Sequence, residues 1–193
     1  MRFKAIALSS VAEGGLAMHG FRIASLYAAC VAAPVAAQTL PAVTLSPGEA
    51  VTMRLDDGGV VGAPERGRAE WSRFDLYAAR QLAGMTPPDA PEPESTPITG
   101  PEGVSPDPIP PGEVRLRFFA FNGHGLLVVE NGHGGALRYR ARMTVNGRAR
   151  HTDVCVVLPH LPSYEHWPHS VERLELTDFR FIPWVPGRRP TCE

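Results

Sequence analysis

The chain has 193 residues, and its 20 acidic residues nearly balance its 19 lysines and arginines, for a formal net charge of −1. A nearly neutral chain lacks the strongly basic character of a nucleic-acid-binding domain, so we expect no nucleic-acid partner. Hydrophobic residues make up 44% of the sequence, and the length suffices for one domain with a buried core.

Residues 18–37 have the features of a secretory signal peptide. Arg22 precedes an apolar run that begins at Ile23, and the small residues Val35-Ala36-Ala37 end it. The run is about 15 residues long, whereas a membrane-spanning helix needs roughly 20. We therefore predict cleavage after Ala37, a periplasmic or secreted protein, and no transmembrane segment in the mature chain. A retained membrane anchor is the less favoured alternative.

Residues 1–17 fit a signal peptide poorly, because Glu13 and Gly14-Gly15 interrupt the apolar run. We expect translation to start at Met18, so that residues 1–17 would not be translated. Lipidation of Cys30 is disfavoured, because Tyr27 stands where a lipoprotein signal has a small aliphatic residue.

Residues 38–86 are predicted to form an N-terminal strand and a short helix. The strand covers residues 50–55, between turn residues on both sides. The helix covers residues 69–82, where Trp71, Phe74, Ala78 and Leu82 recur at helical spacing and Gly84 suits a helix end.

Residues 87–112 are predicted to be a proline-rich acidic linker. Residues 87–111 contain ten prolines and five acidic residues, with no basic residue. Such a composition offers too little apolar surface to offset the entropy of ordering, so we expect an extended, mobile segment. Whether it separates two domains is left open.

Residues 113–193 are predicted to form the main β domain. In residues 137–145 apolar side chains alternate with Arg138, Arg140, Arg142 and Thr144, as in a strand with one buried face. Asn146-Gly147 then predicts a tight hairpin turn. Residues 151–158 are apolar towards their end, which favours a central strand.

Further strands are expected at residues 113–121, 126–130 and 171–182. Short strands joined by Gly, Asn and Pro turns indicate a mainly β protein that forms an antiparallel β-sandwich, with one short helix and a proline-rich loop. An Ig-like topology is the more specific assignment. The predicted core consists of Val114, Leu116, Leu137, Tyr139, Met143, Val154, Val156, Leu174 and Leu176.

The tetrapeptide Asn-Gly-His-Gly occurs twice, at residues 122–125 and 131–134. A strand separates the copies, so His124 and His133 should lie up to roughly 30 Å apart, too far to share a metal ion. We interpret both copies as turns that use the tolerance of Asn and Gly for positive φ, with an exposed histidine.

Four candidate metal ligands fall within ten residues: His160, Glu165, His166 and His169. Imidazole and carboxylate groups suit zinc or copper. Pro162 and Pro168 disfavour a helix here, and the spacing matches no zincin pattern. The favoured alternative is an aromatic-rich loop in which Tyr164 and Trp167 cap one end of the sandwich.

Arg138, Arg140 and Arg142 share one face of their strand and are candidate anion-binding residues, since guanidinium groups can hold carboxylates or phosphates. Their partner would be an anionic component of the cell envelope. Four more arginines are expected nearby: Arg115, Arg117, Arg148 and Arg150. The favoured alternative is a solvated face whose arginines pair with Glu172 and Glu175.

Cys155 and Cys192 are the two cysteines that remain after cleavage of the signal peptide, and in an exported protein they predict one disulfide. A thiol enzyme that uses Cys155 with His151 and Asp153 is the disfavoured alternative. No P-loop, dinucleotide-binding turn, HExxH or CxxC motif is present, and we expect no cofactor.

The sequence therefore favours an exported, non-catalytic β-sandwich protein of the cell envelope, with a binding or structural role. The ligand and the partner stay undefined at this stage. The alternative is a periplasmic metal-binding protein or hydrolase that uses the loop from His160 to His169.

Overall fold

The computed structural model describes residues 41–56, 59–85, 87, 105–187 and 190–192. The predicted signal peptide, residues 1–17 and most of the proline-rich segment lie outside these ranges. The described residues belong to one compact unit.

Within the described ranges the chain forms nine strands and one helix. They are β1 (Val43–Leu45), β2 (Glu49–Asp56), β3 (Gly59–Arg68), α1 (Arg73–Ala83), β4 (Glu113–Phe121), β5 (His124–Asn131), β6 (Ala136–Val145), β7 (Arg148–Thr152), β8 (Pro162–Trp167) and β9 (Arg173–Ile182). Two antiparallel sheets result, a four-stranded sheet of order β1-β9-β6-β7 and a five-stranded sheet of order β3-β2-β4-β5-β8. The prediction of a mainly β protein with two antiparallel sheets and one helix is confirmed.

Strands from both sides of the proline-rich segment share these sheets. β1 pairs with β9, and β2 lies between β3 and β4. The segment therefore connects strands of the same two sheets.

The inner faces of the two sheets enclose a common hydrophobic core. Leu116 from the five-stranded sheet and Leu137, Leu174 and Leu176 from the four-stranded sheet are completely buried in it. All nine residues of the predicted core are buried. The buried face inferred from the alternating pattern of residues 137–145 is therefore confirmed.

Shortening Leu137 to alanine should lower the free energy of unfolding by about 2–5 kcal/mol, because a side chain with no exposed surface leaves a cavity. Urea unfolding would measure the change. Val61→Ala is the control, since Val61 is 51% exposed and should change stability by no more than about 0.5 kcal/mol. An equally small effect at Leu137 would contradict the position of β6.

The hairpin between β6 and β7 forms where Asn146-Gly147 predicted it. Asn146 and Gly147 have φ values of 50° and 69°, in the left-handed region that such a turn requires. The backbone N–H of Gly147 donates to the carboxylate of Glu172 at 3.1 Å.

The prediction of a central strand over residues 151–158 is wrong. β7 ends at Thr152 and lies at the edge of its sheet, and beyond it only Cys155 and Val157 form isolated bridges. Val154 and Val157 are apolar because they cover the core individually, not because they belong to a central strand.

The prediction of a loop over residues 160–169 is wrong for the part that forms β8. β8 pairs with β5 at the edge of the five-stranded sheet. Proline is tolerated at the first residue of a strand and on an edge, so Pro162 does not prevent pairing.

β3 is also an edge strand that the sequence did not reveal, because Gly62, Pro64 and Gly67 interrupt its pattern.

Helix α1 packs on the outer face of the five-stranded sheet, the face turned away from the common core, against β5 and β8. At the start of the helix, the side chain of Ser72 accepts a hydrogen bond from the backbone N–H of Asp75, and the Asp75 carboxylate accepts one from the backbone N–H of Ser72. Gly84 ends the helix with a φ of 70°. The predicted helix is confirmed, with its start moved from residue 69 to Arg73. No helix in the described ranges has the length and apolar character needed to cross a membrane.

Candidate functional site

A cleft of about 420 Å³ opens on the outer face of the five-stranded sheet, beside helix α1. The pairing of β3, β2 and β4 aligns Gly67 with Ala50, and Thr52 with Arg115. The small side chains over β2 and β3 leave this part of the face open, whereas helix α1 packs on β5 and β8.

Equal numbers of opposite charges line the cleft within the described ranges. The cations are Arg66, Arg68, Arg115 and Arg117, and the carboxylates are Glu65, Glu70, Asp107 and Glu130. Trp71 and Ser72 lie in the segment that leads into helix α1 and also contribute. The cleft therefore offers hydrogen-bond donors and acceptors together.

Three charged residues form a buried cluster beside the cleft: Asp75 is 0%, Glu130 5% and Arg117 8% exposed. Arg117 and Glu130 also line the cleft. Arg117 donates from both terminal nitrogens to the carboxylate of Asp75, and from Nη2 to Oε1 of Glu130 at 2.9 Å. Its Nη1 also donates to the backbone carbonyl of Glu70 at 2.8 Å. We call Asp75, Arg117 and Glu130 the buried charge cluster.

The buried charge cluster attaches helix α1 to the sheet. Asp75 belongs to the helix, Arg117 to β4 and Glu130 to β5. From β8, the hydroxyl of Tyr164 donates to Oδ1 of Asp75 at 2.9 Å. A charge removed from water is tolerated when it is paired and hydrogen-bonded, which holds for each member of this cluster.

Burial raises the pKa of Glu130, against the opposing effect of the Arg117 and Arg115 guanidinium groups. Burial works against the charge of Arg117, but the carboxylates of Asp75 and Glu130 outweigh it and raise the pKa of Arg117. Burial and then the Asp75 carboxylate raise the pKa of the Tyr164 hydroxyl. Arg117 therefore keeps its charge, and Tyr164 keeps the proton that it donates.

An aromatic cluster borders the cleft on the helix side. The ring of Trp71 stacks on Phe119 with ring centroids 3.8 Å apart and meets the ring of Phe121 edge-on at 5.6 Å. Trp71 is half-buried, so part of its surface remains in contact with solvent at the cleft.

The buried charge cluster was not predicted from the sequence. Its members are 13 and 42 residues apart along the chain. One signal was available, since Glu130 is the only acidic residue between Val114 and Arg150. Arg117 also interrupts an otherwise apolar strand end.

The first Asn-Gly-His-Gly copy is the turn between β4 and β5, and Asn122 and Gly123 have the expected positive φ values of 47° and 79°. The interpretation of His124 as an exposed passenger is wrong. His124 is half-buried, and its Nδ1 lies 2.8 Å from Nε2 of His166 on β8. Burial, followed by the neighbouring His124 and His169, lowers the pKa of His166.

The second copy is a buried loop rather than the same turn. The Asn131 amide is completely buried and donates to the carbonyls of Gly135 and Leu158. Gly132 is required because a Cβ atom would stand 2.1 Å from the carbonyl oxygen of Pro110. His133 packs on the ring of Phe181. The two histidines do flank β5 at opposite ends, as expected.

The four candidate metal ligands are not brought together. Glu165 and His166 are consecutive residues of β8, so their side chains point to opposite faces of the sheet. Glu165 accepts from the backbone N–H of Cys155 at 2.7 Å, and burial raises its pKa. His169 contacts Arg150 at 2.9 Å. Within the described ranges no group of three or more potential ligands surrounds a common point.

Arg138, Arg140 and Arg142 share the outer face of the four-stranded sheet, since they alternate with buried residues of β6. Arg142 lies 3.4 Å from the carboxylate of Glu175, and Arg140 lies 3.7 Å from that of Asp178. Arg115 and Arg117 do not join them, because β4 belongs to the other sheet. The arginine face thus has acidic partners of its own.

Cys155 and Cys192 form the predicted disulfide. The backbone N–H of Val156 donates to the carbonyl of Thr191 at 3.0 Å, so the C-terminal tail also hydrogen-bonds beside the bond. The disulfide occupies the sulfur that a thiol enzyme would need.

Comparisons with protein-family models, with curated proteins and with solved structures find no match for this chain. A function for this chain is therefore inferred from the geometry of the described residues. Among their features, the cleft combines fixed charges with a volume in the range of roughly 300–1,000 Å³ that is typical of small-molecule sites.

Proposed function

We propose that this chain is an exported, non-catalytic β-sandwich protein of the cell envelope that binds a hydroxyl-rich ligand, such as a saccharide, in the cleft. Export is supported by the signal-peptide features of residues 18–37 and by a disulfide, the bond of an oxidising compartment. The Ig-like topology rests on strand spacing alone.

The observation that carries the proposal is the balanced charge of the cleft beside a half-exposed tryptophan. A hydroxyl group both donates and accepts, so it can bond to a carboxylate and to a guanidinium in the same site. Arg68, Glu70 and Asp107 line the cleft and form no ion pair with another described residue, which leaves their charged groups available to a ligand. A purely anionic ligand would instead meet four carboxylates.

The buried charge cluster supports a binding role in preference to catalysis. Asp75 is completely buried and bonded to Arg117, to Tyr164 and to the N-terminus of helix α1. Such a carboxylate fixes the position of the helix and of Arg117 rather than exchanging protons with a substrate. Groups held in place before binding reduce the entropic cost of binding.

A glycan array with the disulfide-bonded protein, followed by calorimetric titration of the strongest hit, tests the proposal. Arg115→Gln should weaken binding at least tenfold, since Arg115 lines the cleft and is about one-third exposed. Thr52→Phe should also abolish binding by filling the cleft. Arg142→Gln, on the other sheet, is the matched control and should leave affinity unchanged.

Two results would contradict the proposal. One is that Arg115→Gln and Thr52→Phe weaken the binding of no glycan on the array. The other is salt-sensitive binding of an anionic glycan, if Arg142→Gln weakens this binding and Arg115→Gln does not. That result would place an anionic envelope component on the arginine face of β6.

A further inference from the structure

His124 and His166 form a pair of facing imidazoles on neighbouring strands. β5 and β8 are paired with Leu126 opposite His166, which places His124 diagonally across from His166 on the outer face. The facing nitrogens are 2.8 Å apart, the ring planes are inclined by 13°, and the ring centroids are 5.1 Å apart. With the facing nitrogens this close, the ring centroids can be as far apart as observed only if both nitrogens lie on the line between the ring centres. The two nitrogens therefore point at each other.

Two nitrogens in this arrangement can share only one proton, which one ring donates and the other accepts. Within the described ranges neither imidazole has a second hydrogen-bond partner, so nothing fixes which of its two nitrogens carries the proton. In the neutral pair the shared proton can move to the outer nitrogen of its own ring. Both facing lone pairs are then available, with no net loss of a proton.

We propose that His124 and His166 together bind one late first-row transition-metal ion in place of the shared proton, with water in the remaining coordination positions. Bonds of about 2.0–2.1 Å at a tetrahedral angle separate the two nitrogens by about 3.3 Å. The nitrogens must therefore move apart by about half an ångström, and each ring must turn by roughly 35° so that its lone pair points at the metal instead of at the other nitrogen. Both side chains are half-buried, so they can move and water can reach the ion.

The backbone under the pair is rigid. β8 pairs with β5 over six successive residues, and β5 pairs with β4 over eight. The ring of Phe121 lies 5.9 Å from that of His124, with the two ring planes inclined by 22°. The strand pairing therefore holds the backbone of the two histidines in place, and only their side chains need to move.

Ligand chemistry selects the class of ion. Neutral imidazole nitrogen suits zinc, copper and nickel, whereas magnesium and calcium prefer oxygen ligands. Cu²⁺ should bind most tightly, because divalent affinities rise along the series to copper and fall again at zinc. The site retains only His166 of the four ligands predicted from the sequence and adds His124.

The histidine pair does not line the cleft, so this inference and the proposed function can fail separately. The test is calorimetric titration of metal-free, disulfide-bonded protein without a histidine tag, using Cu²⁺, Zn²⁺ and Mg²⁺. One Cu²⁺ or Zn²⁺ should bind per chain, and Mg²⁺ should not bind. His124→Asn and His166→Asn should each weaken Cu²⁺ binding at least tenfold.

His160→Asn and His151→Asn are the matched controls, since they remove exposed histidines outside the pair. Both should leave the affinity for Cu²⁺ unchanged. Thermal melting of each variant shows whether a loss of binding reflects unfolding.

Electron paramagnetic resonance of the Cu²⁺ complex gives a readout that does not depend on the variants. The spectrum of the wild-type protein should show two imidazole nitrogens on the metal. The proposal is overturned by a spectrum with fewer than two imidazole nitrogens, by the absence of a Cu²⁺ or Zn²⁺ site, or by equal losses in the His160 or His151 controls.

Discussion

Replacing Arg117 with methionine should lower the free energy of unfolding by about 3–5 kcal/mol, the largest effect expected from a single charge in this protein. Among the described residues, Arg117 is the only cation that is bonded to both Asp75 and Glu130, and the substitution removes it. Both carboxylates would remain buried. Asp75 would keep only the neutral donors Tyr164 and Ser72, and Glu130 would keep only the more exposed Arg115 at 3.4 Å. A buried charge that loses its partner costs far more than the pair contributes. Chemical denaturation at neutral pH measures the loss.

The loss should shrink as the medium becomes acidic. Burial already raises the pKa of Glu130 in the intact protein, so the folded state binds this proton more readily than the unfolded chain does. A group with a raised folded pKa favours folding at low pH and loses that contribution as pH rises through the folded pKa. Protonated Glu130 would carry no unpaired charge in the variant.

Arg142→Met is the control for this experiment. Arg142 pairs with Glu175 at 3.4 Å, but the two side chains are 46% and 47% exposed. Exposed pairs of this kind contribute about 0–1 kcal/mol because water screens both charges. If Arg117→Met were as mild as Arg142→Met, the assignment of a buried charge cluster would be wrong.

Replacing Cys192 with serine should lower the free energy of unfolding by up to about 4 kcal/mol in the chain-entropy model. The bond closes a loop with a sequence separation of 37 residues, and without it the unfolded chain gains conformational freedom. The tail also loses its covalent attachment beside the hydrogen bond from Val156 to Thr191. Calorimetric melting should show a decrease on the order of 10 °C.

Cys155→Ser and the double variant extend this experiment. Either single variant removes the same bond, so the two should lose similar stability, and the double variant should lose little more. Peptide mapping without reductant should recover one linked pair from the wild-type protein. Two free thiols in protein from its native compartment, or an unchanged melting temperature in both variants, would contradict the structural role of the disulfide.

Elements with strong local patterns could be predicted from the sequence. The alternation in β6, the Asn146-Gly147 turn and the end of helix α1 at Gly84 depend on a few neighbouring residues, and each formed where it was expected. β3 and β8 were not predicted, because edge strands pair on one side only and tolerate the glycines and prolines that disrupt the pattern.

The candidate sites depended on contacts between distant residues. Arg115 and Arg117 were expected beside Arg138, but the strand order places them on the other sheet, where Arg117 meets Asp75. His124 was expected in solvent and instead faces His166, 42 residues later. No local pattern reveals which strands become neighbours.

By itself, the sequence determined the helix, the principal strands, the buried residues and the disulfide partners, because local propensity, two-residue periodicity and the number of cysteines act without knowledge of the whole fold. Only the tertiary structure decided that Arg117 joins two carboxylates, that a cleft opens over Ala50 and Thr52, and that His124 meets His166. The physical reason is that sheet order and register bring together side chains from strands far apart in the chain, where burial and short distances, rather than residue type, give those side chains their chemistry.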